Sequence, residues 1–210
     1  MRSFLPLLAL GACLSGALGC QVPPAQVPPR LTEALPAAGF DPGTVRDVAV
    51  LPIVVAQDVA GVPQIAVRRA LQRELVERLY SPLSLEYVDG RWSEAGWSPA
   101  ADGREALLRV EVLRWDTRAL ASHGAIVALV DARLHPAAGL DAAPLWGYRL
   151  ERRIEVPRST VDRGGQSAID AAAARRLAEL ILAELPERDP LGDRGTPDGT
   201  PDGTPEPATD

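Results

Sequence analysis

The amino-acid sequence predicts an α/β (α+β) domain: a mixed sheet with a C-terminal antiparallel three-stranded meander and two amphipathic helices on one face. Three observations predict it. Apolar and polar residues alternate through 107–115, 126–134 and 145–156, the two-residue period of half-buried strands. Those three segments follow one another through short connections, as sequential antiparallel strands do. Two further segments, 64–80 and 167–185, repeat apolar residues every three or four positions, the period of a helix with one buried face.

Taken in order, 47–55 (DVAVLPIVV) is a near-continuous apolar run rich in β-branched residues and predicts a buried strand. Pro52 within it predicts that the strand bends or ends there. Residues 57–62 form a loop, and Pro63 suits the first turn of a helix. That helix places Val67, Leu71, Leu75 and Leu79 on one face, with Arg68, Arg69, Arg73, Glu74, Glu77 and Arg78 supplying the polar remainder. Leu83, Leu85 and Tyr87 alternate with Ser84 and Glu86 and predict a short strand. Residues 89–103 read as a loop carrying Trp92 and Trp97, with room for one helical turn over 99–106.

The meander follows. Leu108, Val110 and Val112 oppose Arg109 and Glu111 in its first strand, and Trp115 closes that strand. Ile126, Ala128, Val130, Ala132 and Leu134 share a face in the second. In the third, Trp146, Tyr148, Leu150, Ile154 and Val156 oppose Arg149, Glu151, Arg153 and Glu155, and Arg152 interrupts the apolar side. Ser122-His123-Gly124 lies in the first turn and 136–144 in the second. The last helix carries the stripe Ile169, Ala173, Leu177, Leu180, Ile181 and Leu185. Ser167 with Asp170 three residues on predicts a capping box at its start, and Pro186 stops it.

The two ends differ from this domain of 45–186. Met1-Arg2-Ser3, an apolar run over 4–10 and then small residues through Gly19 have the composition of a secretory signal, too short to span a bilayer as a helix. Ala17-Leu18-Gly19-Cys20 follows, resembling a bacterial lipobox, in which a small residue precedes a cysteine whose thiol accepts lipid. Leu10-Gly11-Ala12-Cys13 fits the same pattern but leaves a twelve-residue signal, so Cys20 is the expected lipidation site and Cys13 the alternative. Segment 1–19 is then the signal peptide, and 20–44 a lipidated cysteine with a Pro-rich tether (QVPPAQVPPR). Multiple acyl chains hold stably, since each buried methylene adds ~0.8 kcal/mol. By resemblance to Gram-negative lipoproteins, Gln21 in place of Asp implies outer-membrane sorting.

At the other end the chain repeats Gly-Thr-Pro-Asp from Gly195, without an apolar face, and 187–210 is expected to be a disordered acidic tail. It holds seven acids and two arginines, so −5 of the net −6 lies there. The folded part is near neutral.

Composition excludes several chemistries. All 22 basic residues are arginine, so neither a Walker lysine nor a Schiff-base lysine exists. Two histidines and two cysteines, one of them in the signal, argue against a multi-ligand zinc site. No cofactor or metal is expected, and the acidic balance argues against nucleic acid. No Gly-x-Ser-x-Gly elbow is present. A hydrolase would have to use Asp116 and His123, which read more simply as a carboxylate paired with an arginine and an exposed turn histidine. His135, beside Pro136, reads as exposed in the same way, and Glu111 and Asp131 as parts of a solvated sheet face.

The strand VAVLP (48–52), the segment ALLRVEVLRW (106–115), and VDARL (130–134) followed by Leu145-Trp146 resemble bacterial envelope lipoproteins whose domain is similar to the N-terminal domain of TolB. The usual Thr-Gly before the last strand is replaced by the longer turn HPAAGLD (135–141), and the region 89–103 is short for the family's second helix. An overlapping resemblance is to auxiliary lipoproteins of ABC-type lipid transport systems. These resemblances imply a non-enzymatic, lipid-anchored, periplasm-facing protein, partnered by the membrane and by an envelope protein or a second copy of itself. Trp92 and Trp97 are the candidate partner contacts. The transport reading needs an apolar groove between the two helices and the sheet.

Overall fold

The computed structural model describes residues 32–35, 40–93 and 105–189. In chain order its elements are strand β1 (Thr32–Leu35), a 3-10 turn over Pro42–Thr44, strands β2 (Asp47–Val50) and β3 (Val54–Val55), helix α1 (Gln64–Glu77), strand β4 (Ser81–Pro82) and helix α2 (Leu85–Ser93). Strand β5 (Glu105–Asp116), helix α3 (Leu120–His123), strands β6 (Ala125–Pro136) and β7 (Trp146–Glu155), and helices α4 (Arg158–Arg163) and α5 (Gly165–Leu182) follow. All seven strands join one mixed sheet of order β1-β7-β6-β5-β2-β4, with β3 also on β5. The α+β class and the meander are as the alternation predicts: β5, β6 and β7 pair antiparallel.

Pro52 ends β2 as expected, and the chain resumes as β3 further along the same neighbour, with both pieces parallel to β5. Leu51 bridges the break by donating its N–H to the Leu108 carbonyl at 3.0 Å. In β5 the apolar face is carried by Leu108, Val110 and Val112, and strict alternation would then turn Trp115 outward. A β-bulge between Val112 and Arg114 shifts the register by one, so Trp115 lands opposite Ala128 on the core side, only 8% exposed.

One face of the sheet is sealed by α1 and α5. Val67, Leu71 and Leu75 of α1 and Ala173, Leu177 and Ile181 of α5 interdigitate with Val50, Val110, Val130, Leu150 and Ile154. Full burial of each such side chain contributes roughly 1.5–3 kcal/mol. The space between these helices and the sheet is filled by this core. On the opposite face α2 packs Val88 against Ala49, Leu51 and Leu107, with Leu83 and Leu140 alongside.

Several sequence expectations are corrected here. Segment 83–87 is not a strand. Ser84 accepts the Tyr87 N–H on its Oγ at 3.2 Å, opens α2, and sends Val88 to the second face. Trp92 therefore lies on a helix, and a second helix exists despite the short region after it. The tether expected over 20–44 gives up Thr32–Leu35 to the sheet, where β1 runs antiparallel to β7 as its edge neighbour. Helix α5 starts at Gly165, so Ser167 lies inside it and makes no capping box. Asp170 instead accepts from Gln166 Nε2 at 2.6 Å. Residues 187–189 belong to the fold: Arg188 is 8% exposed, and its N–H donates to the Arg78 carbonyl at 3.1 Å.

Two latches close the molecule. Arg68, on α1, reaches past the end of β4, donates to the Val50 carbonyl at 2.9 Å and pairs with Asp89 of α2 at 2.8 Å. One side chain thus covers the edge of β2 and ties the helices on opposite faces together. Beyond α5, Trp146 Nε1, Arg78 Nη1 and the Tyr80 hydroxyl donate to the carbonyls of Glu184, Leu185 and Pro186 at 3.2, 2.8 and 2.8 Å. These carbonyls belong to the segment that leaves α5 after Leu182, and the three bonds pin it to the core. Burial pushes the Tyr80 phenol up to about 12, against the opposing pull of Arg188 and Arg78.

Candidate functional site

Among the described residues, the face of the sheet opposite α1 and α5 is only partly covered. Alternation sends Leu107, Val127 and Leu129 to it from the meander, and between them a set of charged side chains. Arg109 of β5 stands opposite Arg133 of β6, Glu111 opposite Asp131, and Asp131 in turn opposite Arg149 of β7. Like charges placed directly across strands repel, and the side chains answer by pairing along their own strands or across the sheet. Arg133 grips Asp131 with two parallel bonds of 2.8 and 3.0 Å. Arg114, brought to this face by the bulge, holds Glu151 of β7 at 3.0 Å, and Arg109 lies 3.8 Å from Glu111. The solvated face expected for Glu111 and Asp131 is therefore an ion-paired lattice.

At one end of that lattice, Arg109, Glu111, Asp131, Arg133, His135 and Leu140 enclose a small cavity of about 160 Å³. His135 is not the exposed histidine that its place at a strand end predicts: it is 5% exposed. The turn after β6 folds back over it, and its Nδ1 lies 3.2 Å from the Ala142 carbonyl. Burial lowers its pKa, the bond to Ala142 opposes this, and the Arg133 and Arg109 guanidiniums lower it further. His135 is thus kept in the neutral form.

Helix α2 borders the same face. Its exposed side carries Tyr87 and Trp92, 43% and 40% exposed, with Arg91 between them. The Arg91 guanidinium lies 5.6 Å from the centre of the Tyr87 ring and donates to its hydroxyl at 3.2 Å. Trp92 is thus an accessible aromatic, as a partner contact requires, whereas Trp97 lies outside the described residues, as do Cys13 and Cys20. Trp115 and Trp146 are core residues, the latter stacked on Tyr148 at 6.2 Å.

Asp116 and His123 are each engaged by a near neighbour in sequence. Asp116 is held by Arg118, whose side-chain and backbone hydrogen bonds keep its carboxyl well below the usual carboxylate range. His123 sits in α3 with its Nδ1 2.7 Å from its neighbour Ser122 and remains exposed. Among the described residues no group of three metal-ligating side chains occurs, and no helix is long and apolar enough to cross a membrane.

A second concave surface lies on the outer side of the helices. The first turns of α1 and α5 flank an open groove of about 1050 Å³, with Val62, Ile65 and Ala171 in its wall and Arg69 and Arg73 along it. It opens to solvent rather than to the sheet, so it is not the interior groove that the transport reading asks for. Sequence periodicity assigns Arg69 and Arg73 to the polar side of α1 but cannot reveal that α5 comes alongside.

No protein-family model matches the chain, and no curated protein sequence matches it. Among solved structures it is similar to the PelC dodecamer from Paraburkholderia phytofirmans, with 14% identity over 76% of this chain and 99% of that one, at a TM-score of 0.42. It is similar to the hypothetical protein CT253 from Chlamydia trachomatis, with 15% identity over 66% of this chain and 94% of that one, TM-score 0.43. The lipoprotein GNA1162 from Neisseria meningitidis is another, with 16% identity over 61% and 98%, TM-score 0.41. Likenesses at this level assign neither family nor activity, and they do not confirm the resemblance to the TolB N-terminal domain.

Proposed function

We propose that this chain is a non-enzymatic lipoprotein, held on the periplasmic side of the outer membrane by acyl chains on Cys20, that serves as a binding or assembly component of a cell-envelope complex. The observation that carries the reading is the unequal treatment of the two sheet faces. Helices α1 and α5 bury most of one, while among the described residues the other keeps an accessible charged lattice bordered by Tyr87, Arg91 and Trp92. Paired charges beside exposed aromatic side chains favour a specific protein contact over a catalytic centre, because the charges orient a partner and the rings supply the buried area. The anchor is supported by the signal-like start and by Cys20 behind Ala17-Leu18-Gly19.

Metabolic labelling with palmitate tests the anchor. Wild type and Cys13→Ser should incorporate label and sediment with membranes, and Cys20→Ser should do neither. Label retained in Cys20→Ser and lost in Cys13→Ser would move the anchor, and a soluble, unlabelled wild type would remove it. A photo-crosslinker at Trp92 or Arg149 should capture an envelope protein or a second copy, and one at Arg176 on α5 should not. Equal capture from all three positions would refute the assignment of the face.

A further inference from the structure

The groove between α1 and α5 is amphipathic in a particular way. Arg69 and Arg73 stand one turn apart on α1, and among the described residues neither has a hydrogen bond or an ion pair. Other arginines of these two helices are engaged: Arg68 with Asp89, Arg78 with Glu74, Arg175 and Arg176 with Glu179. The one acid in the groove lining, Asp170, is occupied by Gln166. Beside this pair of open cations Ile65 is 65% exposed, the most exposed large apolar side chain among the described residues. A cationic floor next to an exposed aliphatic group fits a ligand that carries a phosphate and an acyl chain together.

Strand directions add where the groove lies. Helices α1 and α5 both begin at the end of the sheet where β7 terminates at Glu155, and β3 lies at that end too. Strand β1 runs antiparallel to β7, with Thr32 opposite Leu150 and Leu35 opposite Gly147, so its N-terminal residue points toward the same end. Cys20 precedes Thr32 by twelve residues, which at an extended reach of ~3.3 Å each is long enough to bring that end to a bilayer. A groove facing the anchor's own membrane meets its lipids at high local concentration.

We propose that this groove binds an anionic phospholipid of the bilayer in which the chain is anchored, with Arg69 and Arg73 on the phosphate and Ile65 against the acyl region. The orientation rests on the Cys20 reading, while the groove's chemistry stands without it. The test uses the full-length protein purified in a neutral maltoside detergent and titrated with phosphatidylglycerol, phosphatidylcholine or inorganic phosphate, with bound species counted by native mass spectrometry. Phosphatidylglycerol should bind to wild type and about thirtyfold more weakly to Arg69→Gln/Arg73→Gln, taking roughly fivefold for each arginine near anionic lipid. Arg175→Gln/Arg176→Gln, outside the groove, should bind like wild type. Equal binding of phosphatidylcholine, equal binding to the Arg69/Arg73 variant, or phosphate alone competing as well as the lipid would overturn the proposal. The intact mass of the same sample reports acylation, so loss of the anchor reading is seen separately from loss of the groove.

Discussion

Removing the Arg68 guanidinium should cost more stability than its surface partner suggests. Its side chain is 9% exposed, while Asp89 is 51% exposed. The ion pair between them is therefore screened and contributes no more than ~1 kcal/mol. The bond to the Val50 carbonyl is buried, made by a charged donor, and leaves an unsatisfied acceptor when lost, which sets its loss at roughly 1.5–3 kcal/mol. The Arg68 Nε is buried without a partner, which trims this figure. Arg68→Met, which keeps the aliphatic stem, should then lose about 2 kcal/mol, and Arg68→Ala about 3 kcal/mol because the stem's packing goes too. Asp89→Ala should lose under ~1 kcal/mol. Urea unfolding followed by far-ultraviolet circular dichroism and by fluorescence of the buried Trp115 and Trp146 measures all three. If Asp89→Ala destabilises as much as Arg68→Met, or if Arg68→Met is neutral, the carbonyl bond is not what holds this edge.

Other outcomes follow from single residues. Leu79 sits at φ 66°, half exposed, just past the end of α1, where the left-handed conformation favours glycine. Leu79→Gly should raise stability by about 0.5–1 kcal/mol in the same unfolding assay, and a loss would show that the Leu79 side chain is needed. Gly124, at φ 62°, leads into β6, and a Cβ there would stand 2.8 Å from the Val156 carbonyl, so Gly124→Ala should destabilise by ~1–3 kcal/mol. His135 has a lowered pKa when folded, so the unfolded chain binds the extra proton. Its contribution is intact above the unfolded value of ~6.5 and is lost as pH falls through the folded value. Stability should therefore decline as pH falls below about 6.5, and His135→Gln should flatten that decline. Asp116, whose folded pKa is depressed by Arg118, acts in the same sense at lower pH: its contribution is present above its ordinary carboxylate value and is lost as pH falls below it.

The meander and both long helices are legible in the sequence because their apolar periods run for several repeats, so chance alternation cannot imitate them. The segment 83–87 is too short for that test. Leu83, Leu85 and Tyr87 satisfy a strand period, yet a serine cap and one inward valine at Val88 are enough for a helix. Strand β1 carries no pattern of its own, since its backbone is recruited by the free edge of β7. His135 lies on the polar side of β6 as alternation requires. What buries it is the turn that follows, with Leu140 packed beneath α2, and no local rule reports a loop folding back. The aromatic candidates divided the same way: Trp92 gained an exposed helical position that residue type alone could suggest, whereas the partly open sheet face and the groove beside Arg69 arise only when distant elements meet.

The latch beyond α5 sets the order of events in the life of the chain. Arg78 and Tyr80 find their acceptors 107 and 106 residues later, and Trp146 finds its own 38 residues later. Those acceptors are among the last residues of the fold to be synthesised. Until they arrive, three buried donors lack partners and the core behind Leu185 stays open to water. Contacts so remote in sequence form late, so a ribosome-bound chain remains loose until its end is free. If the chain is exported, as the proposed function has it, such a delay protects against premature compaction.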